Sequence, residues 1–202
     1  MNDYFLKMNQ IKNVCVYCAS STKIDKKYFE AADHLGELIA SKGIELINGG
    51  GKFGLMATTS DAVIRNGGKA VGIIPQFMID HDWHHKSMSR LIIVKDMNER
   101  KQMMADISDA IIALPGGCGT FDELMGIITL KQLGLYLNPI VILNINGYYN
   151  PLLAAFDRAI AENFMGNLHA NLWNVAETPE EAMNLIYTTP LWDKSYSKFA
   201  AI

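Results

Sequence analysis

The sequence predicts an α/β fold: a doubly wound parallel sheet in three layers, α/β/α. Three observations lead there. Short apolar runs alternate with amphipathic stretches from Val14 to Tyr187, the pattern of repeated βαβ units with right-handed crossovers. Two of those runs end in glycine-rich turns that enter helices, at Asn48–Met56 and Leu114–Glu123, and a parallel sheet gathers such corners along one edge. No linker, repeat or low-complexity segment divides the 202 residues, and 50% of them are hydrophobic. That suits one domain with a full core, expected over about residues 13–187.

Val14–Ala19 reads as a buried first strand. Cys15 and Cys18 have redox-motif spacing, but residues three apart in a strand point to opposite faces, so they are expected to be two packed thiols. Ser20 and Ser21 open the turn that follows. Asp25–Ser41 is an amphipathic helix with Phe29, Ala32, Leu35, Leu38 and Ile39 on one face, ended by Gly43. Ile44–Ile47 is the second strand and leads into the Gly49-Gly50-Gly51 turn. Ala70–Ile74 is the third, stopped by Pro75.

A polar loop, Gln76–Arg90, comes next. Its His81, His84 and His85 form a conceivable metal set, but the spacing matches no ligand pattern and a polar lid is the favoured reading. Leu91–Val94 is the fourth strand. Asp96 is placed to cap a helix through Ser108, on which Met97, Arg100, Met104 and Ile107 share a stripe. Arg100 there is either a snorkelling surface side chain or a cation awaiting an anionic partner, since the helix dipole opposes a cation in the first turn. Ala110–Leu114 is the fifth strand and Phe121–Leu135 the helix after it. Strands at Pro139–Leu143 and Leu172–Val175 and helices at Asn150–Glu162 and Pro179–Tyr187 complete the order, with a tail from Thr188 expected at the surface or an interface.

Bulk properties exclude several roles. A net charge of −3 and the lack of a Lys/Arg run argue against a nucleic-acid-binding face. No apolar run has membrane-spanning length, and residues 1–13 lack the apolar segment of a signal peptide, so a cytoplasmic protein is expected. Three cysteines make no disulfide framework.

The chain is organised around Pro115-Gly116-Gly117-Cys118-Gly119-Thr120-Phe121-Asp122-Glu123. Three glycines in four residues bring backbone N–H groups close to a ligand at a helix N-terminus, and such a corner attracts phosphate. A helix terminus supplies only ~0.3–1 kcal/mol toward a charge, whereas micromolar binding needs roughly 8 kcal/mol. Several charge-assisted hydrogen bonds, each about 1.5–3 kcal/mol, must converge on the same place. Glu123 is anomalous there, because a carboxylate repels phosphate. Thr120 as N-cap with Glu123 three residues on fits a capping box, and a catalytic carboxylate is the other reading.

These motifs resemble those of the Lonely guy (LOG) family of cytokinin-activating phosphoribohydrolases. Pro115 to Glu123 is similar to its P-G-G-x-G-T-x-x-E, Met97-Asn98-Glu99-Arg100-Lys101 to its M-x-x-R-K, and Gly49-Gly50-Gly51 with Gly54-Leu55-Met56 to its second glycine corner. Gln132-Leu133-Gly134 and Asn146-Gly147-Tyr148-Tyr149 also fit. The resemblance implies a Rossmann-like fold, a homodimer, no metal and no cofactor. It implies hydrolysis of the N-glycosidic bond of a nucleoside 5′-monophosphate, AMP or N6-prenyl-AMP, to free base and ribose 5-phosphate.

Carried over by position, Arg100 and Glu123 are the catalytic pair. Lys101, Gly116, Gly117, Gly119 and Thr120 bind the nucleotide, Asp82 is the acidic lid residue, and Ser20, Gly50 and Gly51 join the substrate-binding set. Ala19 and Ala57 stand where glycine is common, and Leu130 where tryptophan is. The alternatives are a non-catalytic nucleotide or phosphorylated-cofactor carrier on the same fold, a pyridoxal-dependent decarboxylase, and a metal-dependent hydrolase built on the histidines.

Overall fold

The computed structural model describes residues 9–195. Expectations for residues 1–8 and for the tail beyond Ser195 lie outside the described residues. Seven strands form one sheet: β1 (Asn13–Tyr17), β2 (Glu45–Asn48), β3 (Ala70–Pro75), β4 (Arg90–Val94), β5 (Ala110–Ala113), β6 (Ile140–Leu143) and β7 (Asn174–Ala176). Their order is β4-β3-β2-β1-β5-β6-β7, and every pairing is parallel. The helices are α1 (Lys26–Ser41), α2 (Gly54–Arg65), α3 (Gln76–Asp80), α4 (Met97–Asp106), α5 (Cys118–Gln132), α6 (Asn150–Ala161) and α7 (Pro179–Thr188). This is the expected doubly wound, Rossmann-like arrangement in three layers.

The five inner strands, β3, β2, β1, β5 and β6, are buried on both faces, as a sheet covered by helices requires, while the edge strands β4 and β7 are partly exposed. Alternation along β1 sends Val14 and Val16 into one apolar cluster with Leu35 and Ile39 of α1, Leu55 of α2 and Ile186 of α7. Cys15 and Tyr17 go to the other, with Met104 of α4, Leu124 and Ile127 of α5 and Phe156 of α6. The same alternation separates Cys15 from Cys18, and both are free, buried thiols. Burial raises both thiols above their ordinary value, which makes them inert packing groups.

Local chemistry accounts for the helix ends. Asp25 caps α1 by accepting from Lys27 N at 3.0 Å. Asp96 caps α4 by accepting from Asn98 N and Glu99 N at 2.9 and 3.0 Å. At α7, Thr178 and Glu181 form a reciprocal capping box with Pro179 in the first turn.

Three expectations need correction. The loop Gln76–Arg90 contains the short helix α3, which Pro75 precedes as N-cap residue. β1 stops at Tyr17 rather than Ala19, because Ala19 N leaves the ladder to bond Pro115 O at 3.2 Å. α5 begins at Cys118, three residues before the expected Phe121, with Gly117 as its N-cap and no side-chain cap. Thr120 therefore lies inside the helix and Glu123 is its sixth residue, so the capping box does not form.

Candidate functional site

The order of the strands creates the site. From β1 the chain winds to one side through β2, β3 and β4, then returns to place β5 against the other side of β1. Beyond the carboxyl ends of β1 and β5 the two halves diverge, and a crevice opens at this switch point. Ala19 lies in it and ties both glycine corners together. Its N–H donates to Pro115 O, and its carbonyl accepts from Leu55 N at 2.9 Å. Gly54 sits at φ +62, where an added Cβ would lie 2.5 Å from the backbone carbon of Ser20, so only glycine allows α2 to start this close to β1.

The two corners differ in what they offer a ligand. At the Pro115 corner, the N–H groups opening α5 have no intrahelical acceptor and no side-chain cap. Gly117 and Gly119 are exposed, with nothing within 4 Å of an added Cβ. Gly116 is buried for a different reason: a Cβ there would lie 2.1 Å from Thr120 Oγ1. At the other corner the donors are already engaged. Gly50 N donates to Asn48 Oδ1 at 2.9 Å and Gly51 N to Met56 Sδ at 3.0 Å. Gly50, at φ +66, packs on the backbone of Gly72. Only the Pro115 corner has the free donors of an anion site.

Arg100 and Glu123 meet at the floor of the crevice. Arg100 Nη1 donates to Glu123 Oε1 at 2.9 Å, and Arg100 Nε donates to Ile73 O, also at 2.9 Å. Nη2 lies over Gly49, where an added Cβ would sit 1.6 Å from it. Arg100 is 5% exposed and Glu123 9%, so the snorkelling alternative fails. Any side chain at Gly49 would displace the guanidinium, which gives this glycine a role unrelated to phosphate. Burial raises the Glu123 carboxyl above its ordinary value, and the Arg100 charge and hydrogen bond oppose that rise.

The remaining expected residues fall around this pair. Lys101 Nζ makes two 2.9 Å bonds to Asp122 at the rim. With Tyr17, Asn98, Leu130 and Glu123 it lines a cleft of about 260 Å³. Ser20 and Gly51 line a second pocket of about 330 Å³ with Phe53, Met56, Met78 and Trp83. Asp82 makes ion pairs to Lys52 at 2.7 Å and Lys86 at 3.2 Å, and these partners lower its carboxyl, Lys52 most. The histidines do not converge. His85 Nε2 is 3.0 Å from Asp61 Oδ1, and His81 Nδ1 is 2.7 Å from Phe77 O. Among the described residues no group of three or more potential metal ligands is found.

Sequence reasoning missed the support behind the Pro115 corner. Tyr148 Oη donates to Gly116 O at 2.6 Å and Tyr149 Oη to Leu114 O at 2.7 Å. The only signal was the Asn146-Gly147-Tyr148-Tyr149 motif, about thirty residues away and without a partner to pair it with.

Residues 56–186 match the family described as possible lysine decarboxylase. Curated relatives carry a different name, cytokinin riboside 5′-monophosphate phosphoribohydrolase. A probable one from Oryza sativa subsp. japonica is 38% identical over 191 residues, which is 94% of this chain and 78% of the relative. One from Arabidopsis thaliana is 41% identical over 157 residues, 78% of this chain and 74% of the relative. Among solved structures, the molybdenum cofactor binding protein of Rippkaea orientalis superposes with a TM-score of 0.67 at 24% identity, covering 88% of this chain and 96% of that one. The molybdenum cofactor carrier protein of Chlamydomonas reinhardtii gives a TM-score of 0.67 at 20% identity over the same shares. At that identity the likeness is one of fold.

The buried pair yields a titration with a defined sign. Glu123 should titrate above its ordinary 4.5, and higher still in Arg100→Gln, as read by carbon-13 NMR of glutamate-labelled protein. With a raised native value, the native state holds a proton that the unfolded chain has already released, so this group lowers stability as pH rises from 4.5 to the native value. A midpoint below 4.5, or one unmoved by Arg100→Gln, contradicts this account.

Proposed function

Because the chain belongs to the LOG family of phosphoribohydrolases, we propose that it hydrolyses the N-glycosidic bond of AMP or N6-prenyl-AMP, giving free base and ribose 5-phosphate. The observation that carries this reading is the Arg100–Glu123 pair, buried beside an uncapped helix N-terminus. The phosphate takes the N–H groups of Gly117, Gly119 and Thr120, with Gly116 making room for the Thr120 side chain. Ser20 lines the pocket of Gly51, Phe53, Met56 and Trp83 and directly follows Ala19, which bonds Pro115 O; on this reading the ribose crosses the crevice floor and the base enters this apolar pocket. Gly50 and Gly51 shape the pocket, Lys101 adds positive charge at the rim, and Asp82 latches the lid over it.

Breaking the C1′–N9 bond leaves its electron pair on the base and builds positive charge on the ribose. Glu123 as a carboxylate stabilises that charge and takes a proton from the water that attacks C1′, while the departing base takes up a proton from bulk water, so that the net change is addition of one water across the bond. Arg100 fixes the carboxylate by a charge-assisted bond and is itself fixed by Ile73 O. The reading requires no metal or cofactor. It includes a cytoplasmic setting, supported by three free thiols at Cys15, Cys18 and Cys118. Among the described residues no helix is long and apolar enough to cross a membrane.

A homodimer is part of the proposal. The outer side of α5 and the turn after it expose Met125, Leu133 and Leu135, at 40%, 47% and 70%, and contiguous exposed apolar residues mark interaction surfaces.

Two other readings have less support. The carrier fold-mates resemble this chain at 20–24% identity. The decarboxylase description would need a lysine placed for pyridoxal chemistry, but Lys86 is 71% exposed on the lid and paired with Asp82.

The test is chromatography of purified protein incubated with AMP, N6-isopentenyl-AMP, GMP and CMP. Adenine or its prenylated form is expected from the first two. AMP bound with no base released from any nucleotide would favour the carrier. Light scattering should give the mass of two chains at micromolar concentration; a monomer would remove the dimer from the reading.

A further inference from the structure

The Pro115 corner needs more than glycines to bind an anion. Every peptide unit in the turn carries a carbonyl, the Leu114–Pro115 unit has no N–H at all, and a carbonyl oxygen turned toward phosphate repels it. All three carbonyls of Leu114, Pro115 and Gly116 are bound to protein donors. Tyr149 Oη takes Leu114 O, Ala19 N takes Pro115 O and Tyr148 Oη takes Gly116 O. Each bond points its oxygen into the protein; Pro115 has no N–H to offer, and in the trans Gly116–Gly117 peptide the Gly117 N–H points the opposite way from the bonded Gly116 oxygen.

We propose that Tyr148 is a positioning residue for the substrate phosphate, acting through the Gly116 carbonyl. This rests on the phosphate lying at the Pro115 corner. A hydroxyl bound to Gly116 O polarises the Gly116–Gly117 peptide, so Gly117 N–H becomes a stronger donor to an anion. The ring is held for the task. It meets Tyr149 edge-on at 5.1 Å and Tyr28 at 6.1 Å, and Tyr149 in turn meets Phe121 of α5 at 6.1 Å. The turn that presents both tyrosines depends on Asn144, whose side chain accepts from Tyr149 N at 2.7 Å and donates to Asn150 at 2.8 Å. Asn146 and Gly147 take positive φ there, 54 and 69, which suits asparagine and glycine. Tyr149 is 1% exposed and belongs to the core, whereas Tyr148 is 36% exposed. The outer hydroxyl can therefore be removed without opening a cavity.

Tyr148→Phe separates this role from packing, because it keeps the ring and loses the hydroxyl. Binding of AMP and of adenosine is measured by calorimetry on the wild type and the variant, alongside turnover of AMP. Loss of one hydrogen bond behind the phosphate should weaken AMP roughly fivefold and leave adenosine unchanged. KM for AMP should rise by more than kcat falls. Unchanged AMP affinity, or an equal loss for AMP and adenosine, would overturn the proposal, the latter outcome identifying Tyr148 as a packing residue. If the wild type itself binds adenosine as tightly as AMP, the phosphate reading fails first and Tyr148 has no phosphate to position.

Discussion

An arginine and a glutamate, 2.9 Å apart and nearly out of water, set terms that the surrounding structure has to meet. Burying two charges costs several kcal/mol per ion unless every lone pair and proton nearby is well used. Arg100 sits in the first turn of α4, where the helix dipole opposes it. Three features offset the cost. Glu123 supplies the counter-charge, Ile73 O takes the Nε proton, and Gly49 leaves space for Nη2. A cation and an anion so held make weak evidence for stability. On the proposed reading they form a preorganised site, with charges fixed before a substrate arrives.

That constraint also explains why the two glycine corners are unequal. The Gly49 turn gives its glycines to internal geometry: room for the guanidinium at Gly49 and close approach to Gly72 at Gly50. The Pro115 turn keeps its N–H groups outward because its carbonyls are held from behind. Ala19 connects the two through Pro115 O and Leu55 N, so one residue ties the corners together. On the proposed reading the ribose of the substrate separates a phosphate at the Pro115 corner from the Glu123 carboxylate, which answers the repulsion that made Glu123 anomalous.

Much of this was legible in the residues. Alternation of apolar runs and amphipathic stretches predicted the three-layer parallel fold, because a period of two or 3.6 is printed in the order of side chains. Arg100 stood out as a cation on an apolar stripe, either snorkelling to water or awaiting an anion, and the structure decides for the anion. Its partner lies 23 residues away, a pairing decided by packing of α4 beside α5 rather than by spacing. The start of α5 was misplaced for a similar reason: Cys118 and Gly119 are weak helix formers, and tertiary contacts around Thr120 and Gly116 carry the helix back to them. The roles of Asp122 as partner of Lys101, and of Tyr148 and Tyr149 behind the turn, depend on contacts between distant segments and have no local signature.

The central claim is that Glu123, held by Arg100, does the chemistry and does not merely shape the pocket. The direct measurement is single-turnover cleavage of AMP by Glu123→Gln, with AMP affinity measured on the same preparation. Glutamine keeps the acceptor for Arg100 and loses the base. The account predicts AMP affinity within a few-fold of wild type and base release slower by about 10²–10⁴-fold, the usual worth of a general base. Wild-type base release by the variant would contradict it.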